Sequence, residues 1–313
     1  SAAGVGPGDE VITPPLTFVA TQAAAIAMGA SPTFADVEPD NGCLSPAAVE
    51  AAITSRSRAI VAVDYAGHPC DMEALQTIAR AHGLVLIEDA AHSLGSTFRG
   101  QAVGSLADIT AFSFFPTKNI TTAEGGAVAA GDPELLTRAR DFSRQGLVRE
   151  RSRLLNVDEG PWHQEVHHFG LNYRLPDVLA ALGLSQLHRL WEFKAQRARV
   201  KRRYDEAFAN ITGLEIPMQR PDVEPMWHLY PLRVPADRRR RIFEHLRTSG
   251  IGVQVNYLPA YRHPAFLALG FQAGECPAAE DFYAREISLP MYASLSDSDI
   301  GRVADAVLAA LKH

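Results

Sequence analysis

Cysteine is scarce. The 313 residues hold three, Cys43, Cys70 and Cys276, too few and too scattered for a disulfide framework or a zinc site. Such usage suits a reducing compartment, and the cytoplasm is the expected location. No apolar run reaches the roughly 18 residues a membrane helix needs, and no charged-then-apolar leader opens the chain. Positive charge is not in excess: 30 Lys and Arg against 36 Asp and Glu leave a net charge of −6. That argues against nucleic-acid binding, although a locally basic cleft for an anionic substrate stays open. No internal repeat or low-complexity segment is seen, and Gly125-Gly126 lacks the G-x-G-x-x-G spacing of a nucleotide fingerprint. What is present is ordinary for a globular protein, with 47% hydrophobic residues. The length exceeds the usual single core, so a large domain plus a smaller one is expected.

The pattern begins as strand, helix, strand, helix. Val11 to Thr13 reads as a short strand stopped by Pro14-Pro15, followed by a helix from Ala20 to Met28 that ends at Gly29. Pro32 to Asp36 is a strand. Ser45-Pro46 opens a helix with an N-cap residue and a first-turn proline. Ala59 to Val63 is an unbroken apolar strand of the kind buried on both faces. Asp71 to His82 is an amphipathic helix with Met72, Leu75, Ile78 and Ala79 on one side, closed by Gly83. The strand Leu84 to Glu88 follows. This alternation predicts an α/β fold, a mostly parallel sheet sandwiched by helices, with ligands beyond the carboxyl ends of the strands. Further strands are expected at Ile109 to Phe114 and Gly126 to Ala130, and a helix from Asp132-Pro133 to about Gln145. Residues 146–166 read as a polar loop of about 20 residues, a length that is usually functional or disordered. Pro176 begins one long helix to about Phe208. Beyond residue 213, strands at Leu229 to Val234 and Ile251 to Tyr257 are expected. Helices are expected at Asp237 to Ser249, Ala278 to Glu286 and Asp297 to Leu311, the last with Ser296 and Asp299 spaced as a capping box.

Two stretches carry chemistry. Phe112 to Val128, FSFFPTKNITTAEGGAV, holds a single lysine, Lys118, in apolar and hydroxyl-rich surroundings. Lost hydration disfavours its charged form and frees the amine as a nucleophile. Leu84 to Ser93, LVLIEDAAHS, is an apolar strand ending in Asp89 and His92. Taken alone, Asp89 also reads as a turn residue, His92 as structural and Phe18 as core.

Together these stretches resemble the DegT/DnrJ/EryC1/StrS sugar aminotransferases. The likeness continues in VGPGDEVITPPLTFVAT (Val5 to Thr21), VDYAGHPCDM (Val63 to Met72), FGLNYRLPDVLAALGLSQL (Phe169 to Leu187), HLYPLRV (His228 to Val234), VQVNYLPAY (Val253 to Tyr261) and AEDFYAREISLPMY, so it covers essentially the whole chain. The resemblance implies the aspartate-aminotransferase-like fold type I and pyridoxal 5'-phosphate (PLP) as cofactor. A PLP-binding large domain would span 1–212 and a small α+β domain 213–313. It also implies several dozen residues ahead of Ser1, with a Gly-Thr turn that helps hold the PLP phosphate. Within the family, VDYAG, KNITTAEGGAV and AEDFYAREISLP carry a narrower likeness, to the branch that aminates a UDP-linked 4-keto-6-deoxy N-acetyl hexosamine for pseudaminic acid.

Site roles follow from the same resemblance. PLP chemistry needs an attaching amine, an acid for the pyridine nitrogen, a phosphate cradle and a plate for the ring. Lys118 would be the amine and the catalytic residue, Asp89 the pyridine partner, Ser113 a phosphate donor. Thr17, Phe18 and His92 would also bind the cofactor, Phe18 by stacking on one ring face and His92, where many relatives carry glutamine, near the ring face or its oxygen. Asn172 would reach the phosphate from a partner subunit, which makes a homodimer with a shared site the expected assembly. Tyr257, His228 and Arg174 would contact the substrate, a UDP-keto-sugar aminated at the expense of an amino acid such as glutamate. A different nucleotide keto-sugar, aminated at C3 or C4, and a catalytically silent homologue with a binding role are the alternatives. Arg238 to Arg241 reads as solvated helix surface. His163, Glu165, His167 and His168 lack the fuller spacing of a zinc site, so no metal is expected.

Overall fold

A computed structural model describes residues 1–312. Its centre is a six-stranded sheet of β1 (Glu10–Thr13), β2 (Ser31–Phe34), β3 (Ser57–Val63), β4 (Val85–Asp89), β5 (Ile109–Ser113) and β6 (Gly126–Ala129), in the order β2-β1-β3-β4-β5-β6. All neighbours pair parallel except β5 and β6. The apolar runs of β3 and β4 lie in the middle, where both faces are covered. Val63 pairs with Asp89 and Asp89 with Ala111, so β3, β4 and β5 end side by side. That shared carboxyl edge is where a parallel sheet leaves room for ligands.

The helices close over the sheet for local reasons. In α3 (Met72–His82) the Asp71 side chain accepts from Ala74 N at 3.2 Å, and Gly83 closes the helix in the left-handed conformation with φ 65°. Met72, Leu75 and Ala79 face the core. Helix α1 (Ala20–Ala27) runs from the turn after β1. Helix α2 (Pro46–Ala52) starts at Pro46 as expected, yet Ser45 makes no side-chain capping bond. Helix α4 (Pro133–Ser143) is capped by the Asp132 side chain.

One long helix was the expectation from Pro176 to Phe208. The chain instead forms α5 (Asp177–Leu187) and α6 (Leu190–Phe208), parted at His188 and Arg189. Leu190 buries with Ile120 and Met226, so tertiary packing sets the direction of α6. Residues 146–166 are not wholly irregular, since Leu147–Val148 pairs antiparallel with Glu165–Val166.

Farther on, α7 (Arg239–Thr248), α9 (Pro277–Arg285) and α10 (Asp297–Lys312) flank an antiparallel pair, β7 (Tyr230–Arg233) with β8 (Glu286–Leu289), while α8 (Pro264–Ala268) sets Phe266 against Phe34 of β2. The strand expected at Ile251 to Tyr257 is reduced to a single bridge, Gln254 with Ser288. The backbone groups a ladder would use are taken by side chains: Asn256 N donates to the Glu286 carboxyl group at 2.7 Å, and Asn256 O accepts from the Tyr65 hydroxyl. Ser296 does cap α10, accepting from Asp299 N at 3.1 Å.

Buried apolar side chains form two main clusters. One lies under the sheet, around Ile12, Ile60, Leu75 and Leu86, and includes Tyr261, Ala279 and Phe282. The other gathers Val200, Tyr204 and Phe208 of α6 with Tyr230, Leu246, Ile287 and Val307. Both draw on residues from either side of position 212. No helix of the described residues is long and apolar enough to cross a membrane.

Candidate active site

The carboxyl edge of β3, β4 and β5 gathers the polar groups. Asp89 ends β4. Its Oδ2 accepts from the Thr21 hydroxyl at 2.7 Å and its Oδ1 from Ala91 N at 3.2 Å. A carboxylate has about four acceptor positions, so acceptor capacity remains. His92 lies three residues on and is buried, its Nε2 paired with the Tyr257 hydroxyl at 3.3 Å.

His228 reaches the same place from far along the chain. The turn at Ala66 and Gly67 makes this possible: His228 N donates to Ala66 O at 2.8 Å. A Cβ on Gly67, at φ +94°, would come within 2.1 Å of Met226 O, so only glycine allows this close approach. The His92 and His228 rings then lie 4.2 Å apart, 34° from parallel. Burial holds both well below the usual histidine range; the positive charge of Lys118 adds to this in both, and for His228 the neighbouring His92 and Arg197 do too. Both are neutral imidazoles, and each has a buried Nδ1 without a partner among the described residues.

Lys118 follows β5 on a loop that docks by specific bonds. Asn119 Nδ2 donates to His92 O at 2.7 Å and to Met226 O at 3.3 Å, while Ile120 buries against Leu190 and Met226. The amine itself has no hydrogen bond or ion pair among the described residues. Burial pushes its pKa down from the ordinary lysine value, and the charge of Asp89 acts in the opposite sense. Tyr257 is raised by burial and by the charges of Asp89 and Glu286. Its ring lies 6.3 Å from that of Phe18, whose side chain is 60% exposed.

Of the residues singled out in the sequence, Asp89, His92, Lys118, Tyr257, His228 and Phe18 therefore come together. Thr17 is buried at the same corner, with its hydroxyl 3.1 Å from that of Thr21. Ser113 stands half-buried at the end of β5, accepting from Phe115 N at 3.4 Å. Asn172 and Arg174 lie elsewhere on this chain. They are exposed and bonded to each other at 3.0 Å, and among the described residues no bond or ring contact links them to the Lys118 group. Glu165 is a local hub, accepting from His163, His167, Leu155 N and Asn156 N. Among the described residues no group of three or more His, Cys, Asp or Glu could hold a metal ion. Sequence reasoning missed Thr21 and Asn119. For Thr21 a signal existed, a second hydroxyl one helical turn after Thr17.

The arrangement can hold an aromatic aldehyde. An unpaired amine of lowered pKa can attach it, and a carboxylate with spare acceptor capacity can face a ring N–H. Neutral imidazole and phenyl rings stand alongside to plate it.

The chain is similar to known aminotransferases over nearly all its length. The model of the DegT/DnrJ/EryC1/StrS aminotransferase family matches residues 1–308. Identity is 37% over 306 residues to the dTDP-3-amino-3,4,6-trideoxy-alpha-D-glucose transaminase of Streptomyces venezuelae, covering 97% of this chain and 77% of that protein. The structure of Helicobacter pylori PseC, described as an aminotransferase involved in the biosynthesis of pseudoaminic acid, superposes with a TM-score of 0.90 at 34% identity, covering 98% of this chain and 80% of that one. Streptococcus pneumoniae Spr1654, described as a sugar aminotransferase and solved in its PMP form, superposes with a TM-score of 0.91 at 31% identity, covering 99% and 83%.

Proposed function

Because this chain belongs to the DegT/DnrJ/EryC1/StrS aminotransferase family, whose cofactor is PLP, we propose that it transfers an amino group from glutamate to the C4 ketone of a UDP-linked 4-keto-6-deoxy N-acetyl hexosamine, on the route to pseudaminic acid. The observation that carries the chemistry is the unpaired, partly buried Lys118 amine beside Asp89 and two neutral imidazoles. The substrate is supported by VDYAG, KNITTAEGGAV and AEDFYAREISLP and by the likeness to PseC.

Bound there, PLP supplies an electron sink for the carbon that gives up its proton. Lys118 would attach the cofactor and carry that proton, a task suited to an amine of lowered pKa. Asp89 would face the ring nitrogen and hold its proton. Ser113 would donate to the phosphate, and Phe18 and His92 would lie beside the ring. Tyr257 and His228 would meet the sugar nucleotide, and Asn172 and Arg174 of the partner subunit, bonded to each other, would reach in from the second chain, Asn172 to complete the phosphate cradle. A homodimer is supported by the surface of α5, which seats Gly183 against Thr122 of the lysine loop yet leaves Val178 81% exposed. Phe169 is 96% and Trp162 80% exposed nearby in sequence. Exposed apolar area of this kind marks an interface. The free, buried thiols of Cys43, Cys70 and Cys276 are compatible with a cytoplasmic location.

Amination of another nucleotide keto-sugar is the second reading, favoured by the likeness to the dTDP-3-amino-sugar transaminase. The test is to supply PLP, glutamate and either the UDP-linked 4-keto sugar or a dTDP-linked 3-keto sugar, and to weigh the product by mass spectrometry. The proposal expects bleaching of the visible PLP band by glutamate and amination of the UDP sugar. Amination of the dTDP sugar alone would replace the substrate assignment. No spectral change with glutamate in the PLP-loaded protein would remove the aminotransferase reading.

A further inference from the structure

Helical threonines in this protein spend their hydroxyls on their own backbone. Thr77 donates to Glu73 O at 2.9 Å, Thr137 to Pro133 O at 2.8 Å and Thr248 to Glu244 O at 3.0 Å. Each bond reaches one turn back, the usual habit of the residue. Thr21, near the start of α1, does not do this. Its hydroxyl donates to Asp89 Oδ2 at 2.7 Å, a residue 68 positions away.

Donor accounting then sets a direction. A hydroxyl has one proton. Thr21 gives its own to Asp89, so in the 3.1 Å contact between the two threonine hydroxyls Thr17 is the donor. The run is ordered from Thr17 to Thr21 to Asp89. Thr17 is buried, so bulk water is a poor substitute for it. A bond to an ionised acceptor is among the stronger hydrogen bonds, and successive bonds in one direction polarise each other. A carboxyl group on its own turns easily about its last torsion. Here one oxygen is held by Thr21 and the other by Ala91 N at 3.2 Å.

We propose that Thr21 is a positioning residue for the cofactor ring, fixing the plane of Asp89 so that its remaining acceptor positions face the protonated ring nitrogen, with Thr17 aligning Thr21. The inference rests on the reading of Asp89 as the ring-nitrogen partner. It gives Thr17 a role through Thr21 rather than through direct contact with the cofactor.

The experiment compares two ligands on the apoprotein, PLP and its 1-deaza analogue, in which a C–H replaces the ring nitrogen. Equilibrium dissociation constants come from quenching of tryptophan fluorescence, for wild type, Thr21→Val, Thr21→Ser, Thr17→Val and Asp89→Asn. Thermal midpoints of the apoproteins are measured alongside. Wild type should prefer PLP. Thr21→Val should reduce that preference about tenfold, which is about 1.4 kcal/mol, without changing affinity for the analogue. Thr21→Ser should restore it, and Thr17→Val should reduce it about threefold. A merely structural role would weaken both ligands alike. Equal weakening, or an unchanged preference in Thr21→Val, overturns the inference. Should the valine variant not fold, Thr21→Ala is read by the same criteria. Asp89→Asn separates the two levels. If it abolishes the preference while Thr21→Val does not, only this inference fails; if it preserves the preference, the Asp89 reading fails with it.

Discussion

Two regions of this protein carry opposite imbalances. At the carboxyl edge of the sheet, buried and half-buried polar groups have bonding capacity left over: the Lys118 amine, about two acceptor positions on Asp89 and the Nδ1 atoms of His92 and His228. Over residues 155–191 the polar hub Glu165 is saturated, while Leu155, Trp162, Phe169, Val178 and Trp191 stand exposed. Buried polar capacity is costly unless a polar ligand takes it up, and exposed apolar area is costly unless an apolar surface covers it. The first region therefore asks for a cofactor and the second, in the proposed assembly, for another copy. Helix α5 joins the two, since its Gly183 lies where a Cβ would be 2.7 Å from Thr122 of the lysine loop.

The comparison can be broken most severely at Lys118. Lys118→Ala should lower kcat by on the order of 10⁴-fold, the upper range for a proton-transfer group, with the fold retained by circular dichroism. An activity loss below tenfold would remove the amine from the chemistry. The other region is broken by Val178→Asp. It should weaken self-association at least about 100-fold, the cost of a few kcal/mol for burying an unpaired charge. Sedimentation equilibrium reads this directly; an unchanged association constant would place the interface away from α5.

Two smaller effects concern pH and sharpen the first region. His228 is held below its ordinary value, so between that depressed value and about pH 6.5 the unfolded chain binds a proton that the folded chain does not. Its contribution is present above about pH 6.5 and is lost on acidification, by up to about 1.4 kcal/mol per pH unit. His228→Gln should flatten the acid limb of a denaturation series by that slope. Glu286 acts in the opposite sense. Burial first, against the Ser288 hydroxyl bond, the Asn256 N–H bond and the charge of Arg239, raises its carboxyl from 4.5 to about 8. The folded state keeps a proton that the unfolded state has released. Stability from this group is full below about pH 4.5 and declines as pH rises towards 8. Glu286→Gln should remove this decline, and an unchanged alkaline limb would show that Glu286 is already ionised near neutrality.

Much of the frame was legible because its signals are local. Helix α3 announced itself by an apolar stripe between Asp71 and Gly83, and β3 by an unbroken apolar run. The strand β8 was missed because Glu286 and Ser288, polar residues in a four-residue strand, look like surface and are in fact buried. The strand expected at Ile251 to Tyr257 failed for the converse reason: the β-rich pattern was there, but Glu286 and Tyr65 claim the backbone at Asn256. Likewise, nothing local in LHRL marks a break between α5 and α6, which follows from where Leu190 packs.

By itself the sequence determined the family and the mostly parallel sheet, and it singled out Asp89 and Lys118, because each of these is written in residue order and short-range spacing. The tertiary structure alone decided which distant side chains meet them. Thr21 reaches Asp89 across 68 residues and Tyr257 reaches His92 across 165, and the two imidazoles come within 4.2 Å because a glycine turn at 67 admits the backbone at Met226. Periodicity records which face of an element is buried. It carries no record of which buried groups stand opposite one another, and that is set only when the sheet edge and the returning chain close on each other.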